Sequence, residues 1–309
     1  MRKLIALASL LIAPAAAAQN ARSAVSRNGN DANPCTVASP CRSFGAAMAV
    51  TNPGGEIVAL DSAGYGVIQI DRAITVEGAP GVDASIASLG GGAGIGISAP
   101  GSSIVIRNLT LIGYGGSIGI DVGESKNVYI LNCLIRGFTN MGILAAHFTG
   151  ENVNIEHTRV FDSVGAIETY GIYFLGSSGH PVHGTVHDCI VSGSRRNIWV
   201  DEFAFATITN STISDGETGI FVDSYHGIGA PAEAVIESCN ILHHTIGVKV
   251  STLPGNNIST AMVSKNDFVS DTTAVYVENN GSATTFGNNR FVDVFVNFYP
   301  APAPTVPLK

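Results

Sequence analysis

Charge is scarce in this sequence, at 13% of 309 residues, and what there is carries the wrong sign for nucleic acid. Sixteen Lys and Arg stand against 24 Asp and Glu. Nucleic acid and anionic lipid are held chiefly through basic patches, so both are excluded as main partners. Long apolar runs are missing after the first eighteen residues, which excludes a later helix of the roughly 20 residues a membrane span needs. Helical periodicity is nearly absent as well; only Cys41 to Val50 (CRSFGAAMAV) shows it. There is no phosphate-binding loop, no nucleophile elbow and no Ser-His-Asp arrangement.

What is present is glycine, 36 residues of it, among many Ile, Val, Thr and Asn, a composition suited to short strands and tight turns. The chain starts with Arg2 and Lys3, an apolar stretch from Leu4 to Ala13, and Ala16-Ala17-Ala18. This pattern predicts a cleaved export signal over residues 1–18. Removing Arg2 and Lys3 leaves 14 basic against 24 acidic residues, a net charge of −10. The expected destination is the periplasm or the extracellular space. The last ten residues, PAPAPTVPLK, predict a Pro-rich tail over 300–309.

From about residue 104 one phrase recurs: an apolar strand, a turn residue, a short strand, then Gly-Ile-x-Val or a close variant. Aligned after the turn, the register runs Leu109, Cys133, Thr158, Cys189, Ser211, Cys239, Asn266 and Asn289, in steps of 24, 25, 31, 22, 28, 27 and 23 residues. A unit this short cannot bury its own apolar face, so copies must stack. The turn residues are Asn108, Asn132, His157, Asp188, Asn210, Ser238, Lys265 and Asn288. Asn and Asp tolerate the left-handed conformation, so a corner between two strands is expected there. Three short strands per coil, each about 4.8 Å from its counterpart, predict an all-β, right-handed parallel β-helix with three parallel sheets. A propeller or an antiparallel sandwich fits units of 22 to 31 residues less well. The solenoid is expected over 55–299, preceded at 19–54 by a segment whose helix caps the first coil. At the far end Phe291, Phe295, Phe298 and Tyr299 are placed to close the last coil.

Five cysteines fall into two settings. Cys35 and Cys41 flank TVASP in an exported chain and predict a local disulfide, with a metal site as the alternative. Cys133, Cys189 and Cys239 share the inward column but never sit on adjacent coils. Their Cα atoms are then about 9 to 10 Å apart by the strand spacing, beyond the roughly 7 Å a bridge allows. They read as small buried hydrophobes.

With its coils laid out, the chain resembles the right-handed parallel β-helix proteins of the pectate-lyase-like superfamily. NGNDANPCTVASPCRSFGAAMAV resembles the start of a group of exported bacterial β-helix proteins without assigned activity. The resemblance covers residues 28 to 299 and implies the fold; this scaffold carries lyases, hydrolases, epimerases, tailspikes and adhesins. The polygalacturonase motifs (Asn-Thr-Asp, Asp-Asp, Gly-His-Gly, Arg-Ile-Lys) are absent: Gly179-His180-Pro181 and His183-Gly184 do not supply them. Arg195 and Arg196 lie near Asp201, but the acidic calcium cluster of pectate lyases is not recognisable.

Stacking the coils places Asp121, Leu144, Tyr173, Trp199, Phe221, Lys249 and Tyr276 in one outward column. Tyr173, Trp199, Phe221 and Tyr276 are therefore expected as an exposed stripe that contacts a polysaccharide or cell-surface glycan. The same face, used for self-association as a homo-oligomer in a structural or adhesive protein, is the competing expectation. Asp201 and Asp223 fall in the next outward column with Ser251 and Glu278. They are the acid pair available to catalysis, and an enzyme built on them would be a polysaccharide lyase or glycoside hydrolase. No cofactor is expected; Ca2+ is the one cation this pair would suit. His180, His183 and His187, and His243-His244, read as turn residues rather than zinc ligands.

Overall fold

The computed structural model describes residues 20–146, 151–161, 168–224, 230–253, 255 and 257–300. The predicted export signal and all of the Pro-rich tail after Pro300 lie outside the described residues. Within them the chain winds as a right-handed solenoid whose named strands all pair in parallel. One wall is an 11-stranded sheet; Ser103–Arg107, Asn127–Leu131, Val182–His187 and Ala204–Thr209 are typical members. The second wall follows the first corner, as in Leu134–Arg136. The third carries the Gly-Ile-x-Val phrase, as in Met141–Ala146 and Arg196–Val200. Thr212–Ser224 and Asn240–Thr252 run unbroken from the second wall into the third, which joins those two walls into one 18-stranded sheet.

The corner residues behave as their chemistry demands. Asn108, Asn132, His157, Asp188, Asn210, Ser238 and Lys265 all have φ between 50° and 58°. Asn132 Nδ2 donates to Asn108 Oδ1 of the coil below at 2.8 Å. Ser238 and Lys265 adopt the same conformation without that side-chain preference, because the stacked neighbours dictate the bend. A second left-handed corner, at Gly137, Gly193, Asp215, His243, Ser270 and Asp293, separates the second and third walls.

Inside, side chains stack in register. Val76, Ile106, Ile130, Ile155, Val186, Ile208, Ile236 and Val263 form one fully buried column. Each contributes about 1.5–3 kcal/mol of burial energy as a lone side chain. The column just past the first corner is more polar than the sequence suggested. Cys133, Cys189 and Cys239 direct Sγ at backbone carbonyls at 3.2 to 3.5 Å. Thr158, Ser211 and Asn266 in between donate likewise and accept the backbone N–H of the cysteine on the coil before. The bend leaves these groups without ladder partners, and the column satisfies them. The three cysteines are free and buried.

Two boundaries differ from expectation. The helix is Phe44–Val50, started by Ser43, whose Oγ accepts from Ala46 N at 3.2 Å. The first wall begins upstream of it, because Asn20–Val25 pairs in parallel with Thr51–Ala59, so the solenoid starts before residue 55. The Cys35–Cys41 disulfide is formed. At the far end Phe291 and Phe298 pack on the core, whereas Phe295 is 88% exposed and does not close the coil.

Candidate functional site

The third wall places the predicted column in register: Tyr173 beside Trp199, Trp199 beside Phe221, Phe221 beside Lys249, and Lys249 beside Tyr276. The Tyr173 and Trp199 rings stack at 4.6 Å, and Trp199 and Phe221 at 5.6 Å. The expected exposure is not there. Tyr173, Trp199 and Phe221 are 6%, 6% and 5% exposed, and only Tyr276 remains half-buried.

The cause is a break in the alternation that the sequence reading assumed. In each Gly-Ile-x-Val phrase the first two residues both face inward, as Gly142 with Ile143 and Asn197 with Ile198. At Gly142 an added Cβ would meet Val160 Cγ1 at 2.3 Å and Gly171 O at 2.6 Å, which is why glycine stands there. The residue before the phrase therefore lies on the outside together with the third residue. On the central coil that residue is Arg196, and its guanidinium lies 4.9 Å from the Trp199 ring centre, 5.2 Å from Phe221 and 5.6 Å from Tyr170. Lys249 Nζ lies 5.2 Å from the Phe221 ring and 5.8 Å from Tyr276. Cations over aromatic faces gain about 0.5–2 kcal/mol each, and they roof the stack.

A cavity of about 450 Å³ opens here, lined by Glu168, Tyr170, Arg196, Asp223, Lys249 and Glu278 among others. Arg195 and Arg196 both pair with Glu168. Lys249 Nζ pairs with Glu278 Oε1 at 2.7 Å. Burial opposes ionisation of Glu168, but the Tyr170 hydroxyl and the two guanidinium groups outweigh it and hold its carboxyl below the usual range. Burial, then Glu168, pushes the Tyr170 hydroxyl up to about 12.

The acid pair divides in environment. Asp201 is fully buried; its Oδ2 accepts from the Tyr173 hydroxyl at 2.8 Å and its Oδ1 from Glu202 N at 2.8 Å. Both oxygens thus accept a hydrogen bond, and among the described residues the pair belongs to no group of three or more His, Cys, Asp and Glu that could hold a metal ion. Asp223 is 4% exposed, and desolvation followed by the Asp201 charge pushes it up to about 6. Its Oδ1 has no hydrogen-bond partner among the described residues.

Two other features escaped the sequence reading. His244 is fully buried rather than a turn residue: its backbone N–H donates to Asp271 Oδ1 at 2.7 Å and Nδ1 lies 3.1 Å from the same oxygen. Asn197 Nδ2 reaches His244 Nε2 at 3.0 Å and Ser214 O at 2.7 Å. The polar link fastens the strand that carries Arg196 and Trp199. On the first wall, His183 and Phe205 stack at 5.2 Å beside a groove of about 390 Å³.

The fold and the groove define the class, a parallel β-helix protein with a charged and aromatic cleft on its third wall. The family described as "Periplasmic copper-binding protein (NosD)" matches residues 146–304, just over half of the chain, and the chain belongs to it. The family is periplasmic, in line with the exported destination read from the sequence. No helix among the described residues is long and apolar enough to cross a membrane. Among solved structures, the chain is similar to an alginate lyase from Paenibacillus sp. str. FPU-7, with 17% identity, 93% of this chain and 98% of that one covered, and a TM-score of 0.67. It is also similar to pectate lyase Pel9A (15% identity, 91% and 78% covered, TM-score 0.62) and to XylC in complex with xylose (9% identity, 87% and 69% covered, TM-score 0.64). At these identities the likeness is one of fold. No curated protein matches the chain.

Copper is the metal in the family's description, and copper ligands are chiefly His, Cys and Met. Among the described residues no group of three or more His, Cys, Asp and Glu is arranged to hold a metal ion. The buried thiols point at carbonyls, and burial pushes Cys133 up to about 12 and Cys189 and Cys239 up to about 11, so thiolate ligation is disfavoured. His157 and His187 both direct Nε2 at Asp188 Oδ2, at 3.5 and 3.3 Å, so their ring nitrogens are turned to the carboxylate, and the three are not arranged as a metal-holding group. The described residues do not fit copper, and no chemistry is derived through it.

Proposed function

We propose that this protein contacts polysaccharide in the periplasm through the third-wall cleft and binds without turning its ligand over. The observation that carries this reading is the cleft itself: paired charges, Arg196 with Glu168 and Lys249 with Glu278, held over stacked aromatic rings. Such a rim offers fixed donors and acceptors to sugar hydroxyls, and the packed floor keeps them in place. The aromatic rings support the rim rather than meet the sugar directly. The names of the similar structures, an alginate lyase, a pectate lyase and a xylose complex, favour a glycan as the ligand class. Self-association through this face is less well supported, because Arg196 and Lys249 already cover the rings that a partner would bury.

Affinity electrophoresis through gels containing a panel of polysaccharides tests this. Retardation by at least one polysaccharide, relieved by Arg196→Ala or Lys249→Ala in protein that still folds, is the expected result. Migration unaffected by every polysaccharide overturns it. Release of reducing ends or of unsaturated-uronate absorbance overturns binding without turnover and points instead to Asp223 with Asp201.

A further inference from the structure

We infer that the third-wall cleft selects a glycan carrying free amino groups over a polyuronate, with Asp223 as the group that receives the amine. This rests on the glycan-binding reading above. Three carboxyl groups line the cleft, Glu168, Asp223 and Glu278, against two cations, Arg196 and Lys249. Both cations are already matched, Arg196 by Glu168 and Lys249 by Glu278, and Arg195, which also pairs with Glu168, is matched by Glu217. Lys249, bonded to Glu278, attracts Asp223 only at longer range, and burial and the Asp201 charge on the coil below outweigh that attraction.

Asp223 is also incompletely satisfied. It is more than nine-tenths buried, and Oδ1 lacks a hydrogen-bond donor among the described residues. A desolvated carboxylate gains most from a donor that brings positive charge, since a charge-assisted bond is about twice as strong as a neutral one. Its upward shift to about 6 reports the same deficit. A sugar ammonium supplies both charge and donors. A uronate carboxylate has to displace Glu168 or Glu278 from its cation and then sit near Asp223, which is unfavourable on both counts. The chain's net charge of −8 adds a long-range field that repels polyanions.

The test is calorimetric titration of the full chain, at a pH just above 6 so that Asp223 is chiefly ionised, with three probes of equal length: a chitosan hexasaccharide, its fully N-acetylated counterpart, and a galacturonate hexamer. Chitosan should bind at least about tenfold tighter than the galacturonate hexamer, a gap of about 1.4 kcal/mol. Asp223→Asn should cut the advantage of chitosan over the acetylated probe to within about threefold, roughly 0.65 kcal/mol. Asp293→Asn makes the same charge change on the last coil, remote from the cleft, and should leave the preference intact. Equal or tighter galacturonate binding overturns the inference. So does an amine preference that survives Asp223→Asn, or one that falls equally with Asp293→Asn and is thus bulk charge. In those cases the acetylated probe still binds and the glycan reading stands; failure of all three probes and of every gel polysaccharide removes both.

Discussion

Substituting Asp271 by Ala should weaken the centre of the solenoid far more than substituting it by Asn. One Asp271 oxygen receives the His244 backbone N–H at 2.7 Å and faces His244 Nδ1 at 3.1 Å, and both side chains are fully buried. Alanine strands both His244 groups in the interior, and each stranded polar group costs about 1–3 kcal/mol. Partial relaxation brings the expected total to roughly 3–4 kcal/mol. Asparagine keeps an acceptor at the same place and should cost roughly 1–2 kcal/mol. Stacked coils need not unfold as one unit, so urea unfolding should be paired with amide hydrogen exchange. Protection should drop first at His244 to Val250 and at Arg196 to Val200, the strands that the Asn197–His244 bond ties together. If Asp271→Ala stays within 1 kcal/mol of the parent protein, the reasoning about this network is wrong. Equal costs for Ala and Asn would mean that charge rather than acceptor geometry holds His244.

Gly142→Ala drives a Cβ to 2.3 Å from Val160 Cγ1 and should destabilise by roughly 1–3 kcal/mol. Gly45→Ala, in the helix with nothing within 4 Å, should be stabilising by roughly 0.5–1 kcal/mol; thermal melting compares the two, and equal shifts would refute the close approach. Cys133, Cys189 and Cys239, buried and with raised pKa values, should resist a thiol reagent until denaturant is added. Prompt labelling of native protein contradicts that placement. Asp223 holds its proton to about pH 6 when folded, above the 3.8 of a free aspartate side chain. The folded chain thus binds more protons between those limits, and this group's contribution to stability is full below about 4 and lost as pH rises through 6. Asp223→Asn should flatten that part of the stability profile, and an unchanged slope argues against the shift.

Much of the fold was legible because a stacked repeat turns sequence alignment into spatial register. Aligning the coils at Asn132 and its equivalents set the left-handed corners and placed Tyr173, Trp199 and Phe221 on adjacent rungs. Their burial was not legible. A strict period of two sends Asn197 outward, whereas it turns inward beside Ile198 at the corner, and Arg196 swings over the rings instead. His243-His244 looked like an ordinary turn because its partner Asp271 lies one coil further on. The available signal was Gly219 on the coil below, whose missing side chain leaves room for the imidazole to fold inward: an added Cβ there would meet His244 Cε1 at 3.1 Å. The thiols gave a partial signal. Their alternation with Thr158, Ser211 and Asn266 marks a column that must donate hydrogen bonds, not one that is merely apolar.

A crystal structure of the protein grown with an oligosaccharide retained in the affinity gels tests the central claim most directly. The sugar should occupy the third-wall cleft, within hydrogen-bonding distance of Arg196, Lys249 and Asp223. Sugar seated instead along the first wall, against His183 and Phe205, would contradict it.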